Sequence, residues 1–217
     1  MRKLGIYAGI VSFNPDIKKL EQNITSILSQ VDEVIIYDNG SSNQNEILKN
    51  FYNKVTILPS NKNEGIAAGL NKLMEYCAQK EAIWMLSLDQ DSICPINYVE
   101  KMIPYLTIEN KLGIVAPVIL DKNIGVVGHN PKEKYAEVNT CITSGSFQNI
   151  AVWEKVGKYD ESMFIDSVDF EFCYRVRKDG YKIIQVRDVK LLHELGNSEK
   201  RRLLFRKITV SGHSAFR

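Results

Sequence analysis

The residues able to do chemistry in this chain are acids placed directly after apolar runs. Asp89-Gln90-Asp91 follows Ala82–Leu88, and Asp38-Asn39-Gly40-Ser41-Ser42 follows Glu33–Tyr37. Carboxylates two apart on extended backbone point to one side. There they can share a hard cation, Mg2+ or Mn2+, whose remaining ligands are phosphate oxygens. A third acidic group, Asp166-Ser167-Val168-Asp169-Phe170-Glu171, lies among Met163, Phe164, Ile165 and Phe172. Partial burial there raises a carboxylate's pKa and improves it as a general base. The structural alternative is strong, because a helix dipole favours acids in a first turn. His193 stands alone in Leu191-Leu192-His193-Glu194, where a structural role is commoner than a ligand role. Thr143-Ser144-Gly145-Ser146 reads as a plain turn or as a small-residue floor under a substrate. No G-x-G-x-x-G follows the first apolar run and no G-x-x-x-x-G-K-[ST] occurs, so dinucleotide and P-loop sites are unsupported.

Alternating strands and helices must position these groups. Leu4–Phe13 reads as a strand, and Asp16–Gln30 as a helix with Ile17, Leu20, Ile24, Ile27 and Leu28 on one face. Glu33–Tyr37 is a β-branched strand ended by a turn, followed by a helix over Glu46–Tyr52 and a strand over Val55–Leu58. Ile66–Ala78 reads as a helix and Ala82–Leu88 as a strand. Cys94-Pro95 opens a helix to about Leu106, and Gly113–Leu120 is another buried strand. Unalternating apolar strands between helices imply a parallel sheet covered on both faces. In such sheets ligands bind at the carboxyl ends of strands, where Asp38, Asn61 to Asn71, and Asp89 fall. After Leu120 the pattern becomes α+β: Glu137–Phe147 looks extended, Asp166–Lys178 helical and Tyr181–Val186 a late strand. Trp84 reads as core, and Trp153 as either core or a stacking face for a sugar ring.

The chain of 217 residues is long enough for one domain with a proper core. Its balance of 28 basic against 26 acidic residues argues against nucleic acid as the main partner. No run reaches the roughly 18 apolar residues of a membrane span. Met1-Arg2-Lys3 before Leu4–Val11 imitates a signal peptide but ends in Phe13-Asn14-Pro15-Asp16 without a cleavage site. Cys77, Cys94, Cys141 and Cys173 lie far apart in sequence without C-x-x-C spacing, as expected of reduced core thiols in a cytoplasmic protein. Residues 199–217 hold six basic residues against Glu199 and read as a basic helix. That helix is either a solvated face or a site of attraction to anionic lipid, with peripheral association at the inner face of the membrane.

Taken in order, these clusters resemble the family 2 glycosyltransferases of GT-A fold. Val11-Ser12-Phe13-Asn14-Pro15 resembles the family's opening strand, and Asp38-Asn39-Gly40-Ser41-Ser42 its nucleotide-binding D-N-G-S-S. Asn61-x-Asn63-x-Gly65 with Gly69-Leu70-Asn71 resembles its N-x-G-x-a-x-G-x-N segment, and Asp89-Gln90-Asp91 its D-x-D metal motif. Phe164-Ile165-Asp166-x-Val168-Asp169-x-Glu171-x-Cys173-x-Arg175 with Gly180-Tyr181 resembles the acceptor-side E-D-x-D-x-x-x-R motif, most similar in its form to bacterial rhamnosyltransferases. The usual E-D pair here reads Val168-Asp169 and the later D reads Glu171. Register puts Asp169 in the base position, with Asp166 close enough to compete for it.

The resemblance implies an α/β, GT-A type fold: a Rossmann-like, mostly parallel sheet flanked by helices, with an α+β acceptor-side half. One domain is expected, with a nucleotide-sugar half over about 1–120, an acceptor and catalytic half over about 121–198, and the basic helix over 199–217. The end at Ser211–Arg217, where members of the family continue into further helices, implies a truncated acceptor or membrane-facing region. The implied reaction is inverting transfer of a sugar from a nucleotide diphosphate sugar, dTDP-rhamnose by likeness, to a saccharide or lipid-linked saccharide hydroxyl in cell-surface polysaccharide synthesis. Implied nucleotide-sugar residues are Val11, Phe13, Asp38, Asn39, Asn63, Gly65, Asn71, Asp89 and Gln90. Acceptor residues are Ser144, Gly145, Trp153, Glu171 and Arg175, and the metal ligands are Asp91, Asp89 and His193. Two rivals are a nucleotidyltransferase, which lacks its basic glycine-rich phosphate loop here, and an inactive GT-A-like sugar- or partner-binding module.

Overall fold

The structure is a computed structural model that describes residues 5–121, 125–192, 198–203 and 206–211. Its first half runs β1 (Ile6–Ser12), α1 (Ile17–Ile27), β2 (Glu33–Asp38), α2 (Gln44–Phe51), β3 (Thr56–Pro59), α3 (Ile66–Gln79), β4 (Trp84–Asp89) and α4 (Tyr98–Leu106). The second half contains β5 (Leu112–Asp121), β6 (Gly125–Val127), β7 (Tyr135–Glu137), β8 (Phe147–Asn149), α5 (Ile150–Lys155), α6 (Val168–Lys178) and β9 (Lys182–Leu192). Two further strands follow, β10 (Ser198–Leu203) and β11 (Arg206–Ser211).

The main sheet has the order β3-β2-β1-β4-β8-β5-β9-β7, with β6 on β5. Its first four strands are parallel, whereas β8 enters antiparallel between β4 and β5. Successive side chains of a strand face opposite layers. Accordingly Ile6, Ala8 and Ile10 join Val34 and Ile36 in one core, against Leu20, Ile24 and Ile27 of α1 and Met102 of α4. Val11 joins Ile35 and Tyr37 in the other core, against Leu70, Leu73 and Met74 of α3 and Phe172 and Val176 of α6. Both faces are therefore covered, as the unbroken apolar runs require.

Register brings the predicted acids together. Ser12 pairs with Asp38 across β1 and β2, and Val11 pairs with Asp89 across β1 and β4. Three strand ends thus share one edge.

Four expectations need correction. Between Glu137 and Phe147 only the ends are strands, and the intervening residues form a loop. Its glycine and hydroxyl residues favour turn bonds over a ladder. The helix α5 was not anticipated; its N-cap is Asn149, whose side chain accepts from the Val152 amide. Asp89-Gln90-Asp91 is extended only at Asp89, and Gln90 and Asp91 form a turn. The basic segment expected as a helix is instead a hairpin, β10 pairing antiparallel with β11 from Ser198↔Ser211 to Leu203↔Arg206. The β-branched run Ile208-Thr209-Val210 favours that extended form. No helix among the described residues is long and apolar enough to cross a membrane.

Candidate active site

Asp38 closes β2 and is fully buried. Its Oδ2 accepts from Gln44 Nε2 at 2.7 Å, while its Oδ1 has no hydrogen-bond partner. Neighbouring Ser12 Oγ is also buried and unpartnered. Buried polar atoms are ordinarily satisfied, so two such atoms on adjacent strand ends mark a place for a polar ligand.

The loop after β3 closes over this edge. Asn39 Nδ2 donates to Asn63 Oδ1 (2.9 Å) and to the Gly65 carbonyl (3.2 Å), and Asn39 Oδ1 accepts from the Glu64 amide (2.8 Å). Asn39 and Asn63 therefore shape the pocket by bracing each other. Gly65 has φ +88° and ψ 169°, open essentially to glycine alone. A Cβ there would lie 2.7 Å from the Phe164 carbonyl oxygen, which accepts from the Ile66 amide at 2.8 Å. The amino end of α3 is thus docked two residues before Asp166.

The acidic turn after β4 is held from three sides. Asn23 of α1 donates to the Asp89 carbonyl (2.6 Å), Gln90 Oε1 accepts from the Phe13 amide (2.9 Å), and the Asp89 amide donates to Ser144 Oγ (3.4 Å). Asp89 is half-buried and Asp91 exposed. As hard oxygen donors the two carboxylates suit a cation such as Mg2+ or Mn2+. Among the described residues no group of three or more His, Cys, Asp or Glu side chains could hold a metal alone. His193 lies outside the described residues. Leu192, which ends β9, bridges Ile93, two positions after Asp91.

Asp169 sits in the first turn of α6 and is half-buried, its Oδ2 accepting from the Thr143 amide at 3.3 Å. Consecutive residues of one loop therefore touch both acidic motifs: Thr143 holds Asp169 and Ser144 holds Asp89. Asp166 is exposed and, like Ser167, adopts a left-handed backbone (φ +66° and +58°). Two such non-glycine residues in succession are strained and mark a constrained loop.

Several of the expected ligand residues are packed against, or hydrogen-bonded to, other parts of the protein. Val11 is core, packed so closely that a Cβ at Gly69 would meet its Cγ1 at 2.8 Å. Asn71 is buried and spends its amide on the Tyr159 carbonyl (3.0 Å) and Glu161 (2.8 Å), and its oxygen on Trp153 Nε1 (3.0 Å) and the Tyr159 amide (2.9 Å). Trp153 is 1% exposed, so it is core and offers no face for a sugar. Ser144 is buried against Ser92 Oγ (3.0 Å), and the Gly145 carbonyl accepts from Tyr98 Oη (2.5 Å). Arg175 forms a two-pronged ion pair with Glu171, each bond 2.6 Å, and donates to the Val156 carbonyl at 2.7 Å.

What the sequence did not single out is a cavity of about 490 Å3 lined by Pro117, Ile119, Val138, Phe170, His129 and Gln185. Gln185 Nε2 donates to the Pro117 carbonyl at 2.8 Å, and its buried Oε1 is unpartnered. The available signal was a lone amide in Ile183-Ile184-Gln185-Val186. The cavity shares Cys141 and Ile142 with the small cleft that Asp169 lines.

A family model described as glycosyl transferase family 2 matches residues 8–175. The chain is 32% identical over 207 residues to the dTDP-rhamnosyl transferase RfbF of Shigella flexneri, covering 88% of this chain and 70% of that protein. It is 26% identical over 195 residues to the low-salt glycan biosynthesis hexosyltransferase Agl10 of Haloferax volcanii, covering 79% of this chain and 62% of the relative. Among solved structures, GalNAc-T7 with UDP, GalNAc and Mn2+ superposes with a TM-score of 0.73 at 15% identity, over 89% of this chain and 44% of that one. The mannosyltransferase PcManGT from Pyrobaculum calidifontis, in complex with GDP-Man and Mn2+, gives 0.69 at 13% identity, over 89% and 57%. This chain therefore spans about half the length of these solved chains. The matched segment contains Asp38, the acidic turn and Asp169 together, and the chain belongs to glycosyl transferase family 2, a glycosyltransferase built on the GT-A fold.

Proposed function

We propose that the chain transfers rhamnose from dTDP-rhamnose, with inversion and a divalent cation, to a hydroxyl of a saccharide or lipid-linked saccharide acceptor in cell-surface polysaccharide synthesis. The observation that carries the catalytic part is the Thr143-Ser144 link, which ties Asp169 and Asp89, 80 residues apart in sequence, to adjacent points of one loop. The donor identity rests on the similarity to the rhamnosyl transferase.

On this reading the base seats over β1 and β2. Asp38 Oδ1 accepts from a pyrimidine N3–H, which favours thymine or uracil over cytosine. Asp89 and Asp91 hold the cation, which when bound supplies charge neutralisation for the leaving diphosphate. The acceptor hydroxyl enters from the 490 Å3 cavity, where Gln185 Oε1 can take a hydrogen bond from a sugar hydroxyl. Its oxygen attacks the anomeric carbon from the face opposite the diphosphate. The bond to the diphosphate breaks with its electron pair on the leaving oxygen, and Asp169 takes the acceptor proton. Asp166 shapes the approach to that base. The net-positive 199–217 segment draws the enzyme towards anionic lipid at the inner membrane face.

Thermal melts with MnCl2 and dTDP-rhamnose, UDP-GlcNAc or GDP-mannose test the donor. A ligand that binds only the folded state raises Tm. The expected result is the largest rise with dTDP-rhamnose, dependent on Mn2+. A larger rise with either other donor reassigns the sugar, and no rise with any of them removes the reading.

A further inference from the structure

Cys141 and Cys173 are 32 positions apart, yet their sulfurs lie 3.9 Å from each other. Cys173 is on α6, four residues after Asp169, and is buried. Its Sγ also contacts the Cys141 carbonyl at 3.7 Å. Cys141 belongs to the loop between β7 and β8, two residues before Thr143, and is half-buried where it lines the 490 Å3 cavity. The other two thiols, Cys77 and Cys94, are each buried, and burial pushes both up to about 12. Thiols in such apolar surroundings are inert.

We infer that Cys141 and Cys173 form a redox modification site: a peroxide-class oxidant joins them as a disulfide, which clamps the loop to α6 and stops transfer at Asp169. Peroxide first oxidises one thiol of the pair, reached from the cavity that Cys141 lines. The O–O bond breaks, an S–O bond forms, and the sulfenic acid and one water result. The other thiol then attacks that sulfur; the S–S bond forms, the S–O bond breaks, and hydroxide leaves with the attacking thiol's proton as a second water. Two thiols and one peroxide give one disulfide and two waters. The contact between the two thiols holds Cys173 below its ordinary range and Cys141 well above it, so thiolate character lies with Cys173.

The sulfurs must close from 3.9 Å to about 2.05 Å. That displacement acts across the contact in which the Thr143 amide holds Asp169 at 3.3 Å. The base moves relative to the acceptor, while Asp38 is on another element. Acceptor transfer is therefore expected to fall at least tenfold on oxidation, with the nucleotide-dependent rise in Tm retained. The disulfide itself does not depend on the proposed function, whereas its effect on transfer rests on that reading.

The experiment treats the full chain with hydrogen peroxide and counts free thiols in denaturant, with peptide mapping and a non-reducing gel. The expected count falls from four to two, with Cys141 linked to Cys173 in a monomer and all four restored by dithiothreitol. Transfer by Cys141→Ser and Cys141→Ala is expected to resist peroxide. Four remaining thiols, or a disulfide through Cys77 or Cys94, overturns the site. A formed Cys141–Cys173 disulfide with undiminished transfer overturns the switch. The thiol count and map decide the site even if the reduced enzyme transfers no sugar, an outcome that strikes the proposed function instead.

Discussion

Asp169 and Asp166 are three residues apart but occupy different environments. Asp169 is half-buried and held by the Thr143 amide, whereas Asp166 is exposed on left-handed backbone. A base must stay put as the acceptor approaches, which favours Asp169. Asp169→Asn is expected to lower turnover about 10²–10⁴-fold with donor affinity unchanged. Asp166→Asn is expected to cost far less, since asparagine tolerates a left-handed backbone. Steady-state kinetics on the two variants decide it, and the reverse ranking moves the base by three residues. Asp38 belongs to a different step. With Oδ1 buried and unpartnered, Asp38→Ala is expected to weaken nucleotide binding about tenfold or more, with or without metal. Asp91→Ala, like chelation by EDTA, is expected to abolish only the metal-dependent part of donor binding. Calorimetric titration of dTDP with and without MnCl2 separates these effects, and equal losses in both variants would merge the two roles.

At the scale of elements, the site depends on how α3 meets its neighbours. Its amino end is docked on Phe164 because Gly65 has no side chain. Gly65→Ala is expected to cost about 1–3 kcal/mol from backbone strain alone and to move the Asp166 loop. Farther along α3, Asn71 satisfies both the Trp153 indole and the backbone of Tyr159. Asn71→Leu leaves buried donors unpaired, at about 1–3 kcal/mol each, and denaturant melts should show the loss. The Tyr37 phenol, pushed up to about 12 chiefly by burial, donates to Glu64 Oε2 at 2.6 Å. That hydrogen bond holds the Glu64 carboxyl below its usual range. A carboxylate with a depressed folded pKa contributes stability above its unfolded value, and this is lost as pH falls through the folded one. Tyr37→Phe is therefore expected to show a smaller fall in Tm than wild type between pH 6 and pH 3. Parallel curves would mean that this contact does not contribute.

For the whole molecule, the strand order explains why two acidic motifs far apart in sequence meet one loop. β8 runs antiparallel between β4 and β5, so the loop entering it, Thr143–Ser146, arrives beside the acidic turn that leaves β4. Glu171–Arg175 then anchors α6 to Val156, fixing the helix that carries Asp169. Arg175→Ala is expected to slow transfer while leaving donor binding intact, and Arg175→Lys to rescue it poorly, because lysine lacks the planar fork. Strands β10 and β11 carry five of the six basic residues of the 199–217 segment. Charge-neutralising Arg201, Arg202, Arg206 and Lys207 is expected to reduce co-sedimentation with anionic vesicles at low salt. Unchanged co-sedimentation separates this segment from any membrane role.

The sequence by itself determined the parallel first half and the location of the acids, because apolar period and turn residues are local properties. Glu33–Tyr37 and Ala82–Leu88 had to be strands, and Asp38 and Asp89 had to stand at their ends. Tertiary structure alone decided which polar residues keep free valences. Asn71, Ser144 and Arg175 are chemically able to bind a sugar, yet their partners lie 88, 52 and 19 residues away and consume them. The same holds for Trp153, whose burial depends on α3 lying across it, and for the Cys141–Cys173 contact, which no spacing rule encodes. The C-terminal hairpin followed the same logic: strand pairing is non-local, and it overrode a helical pattern that local periodicity alone supported.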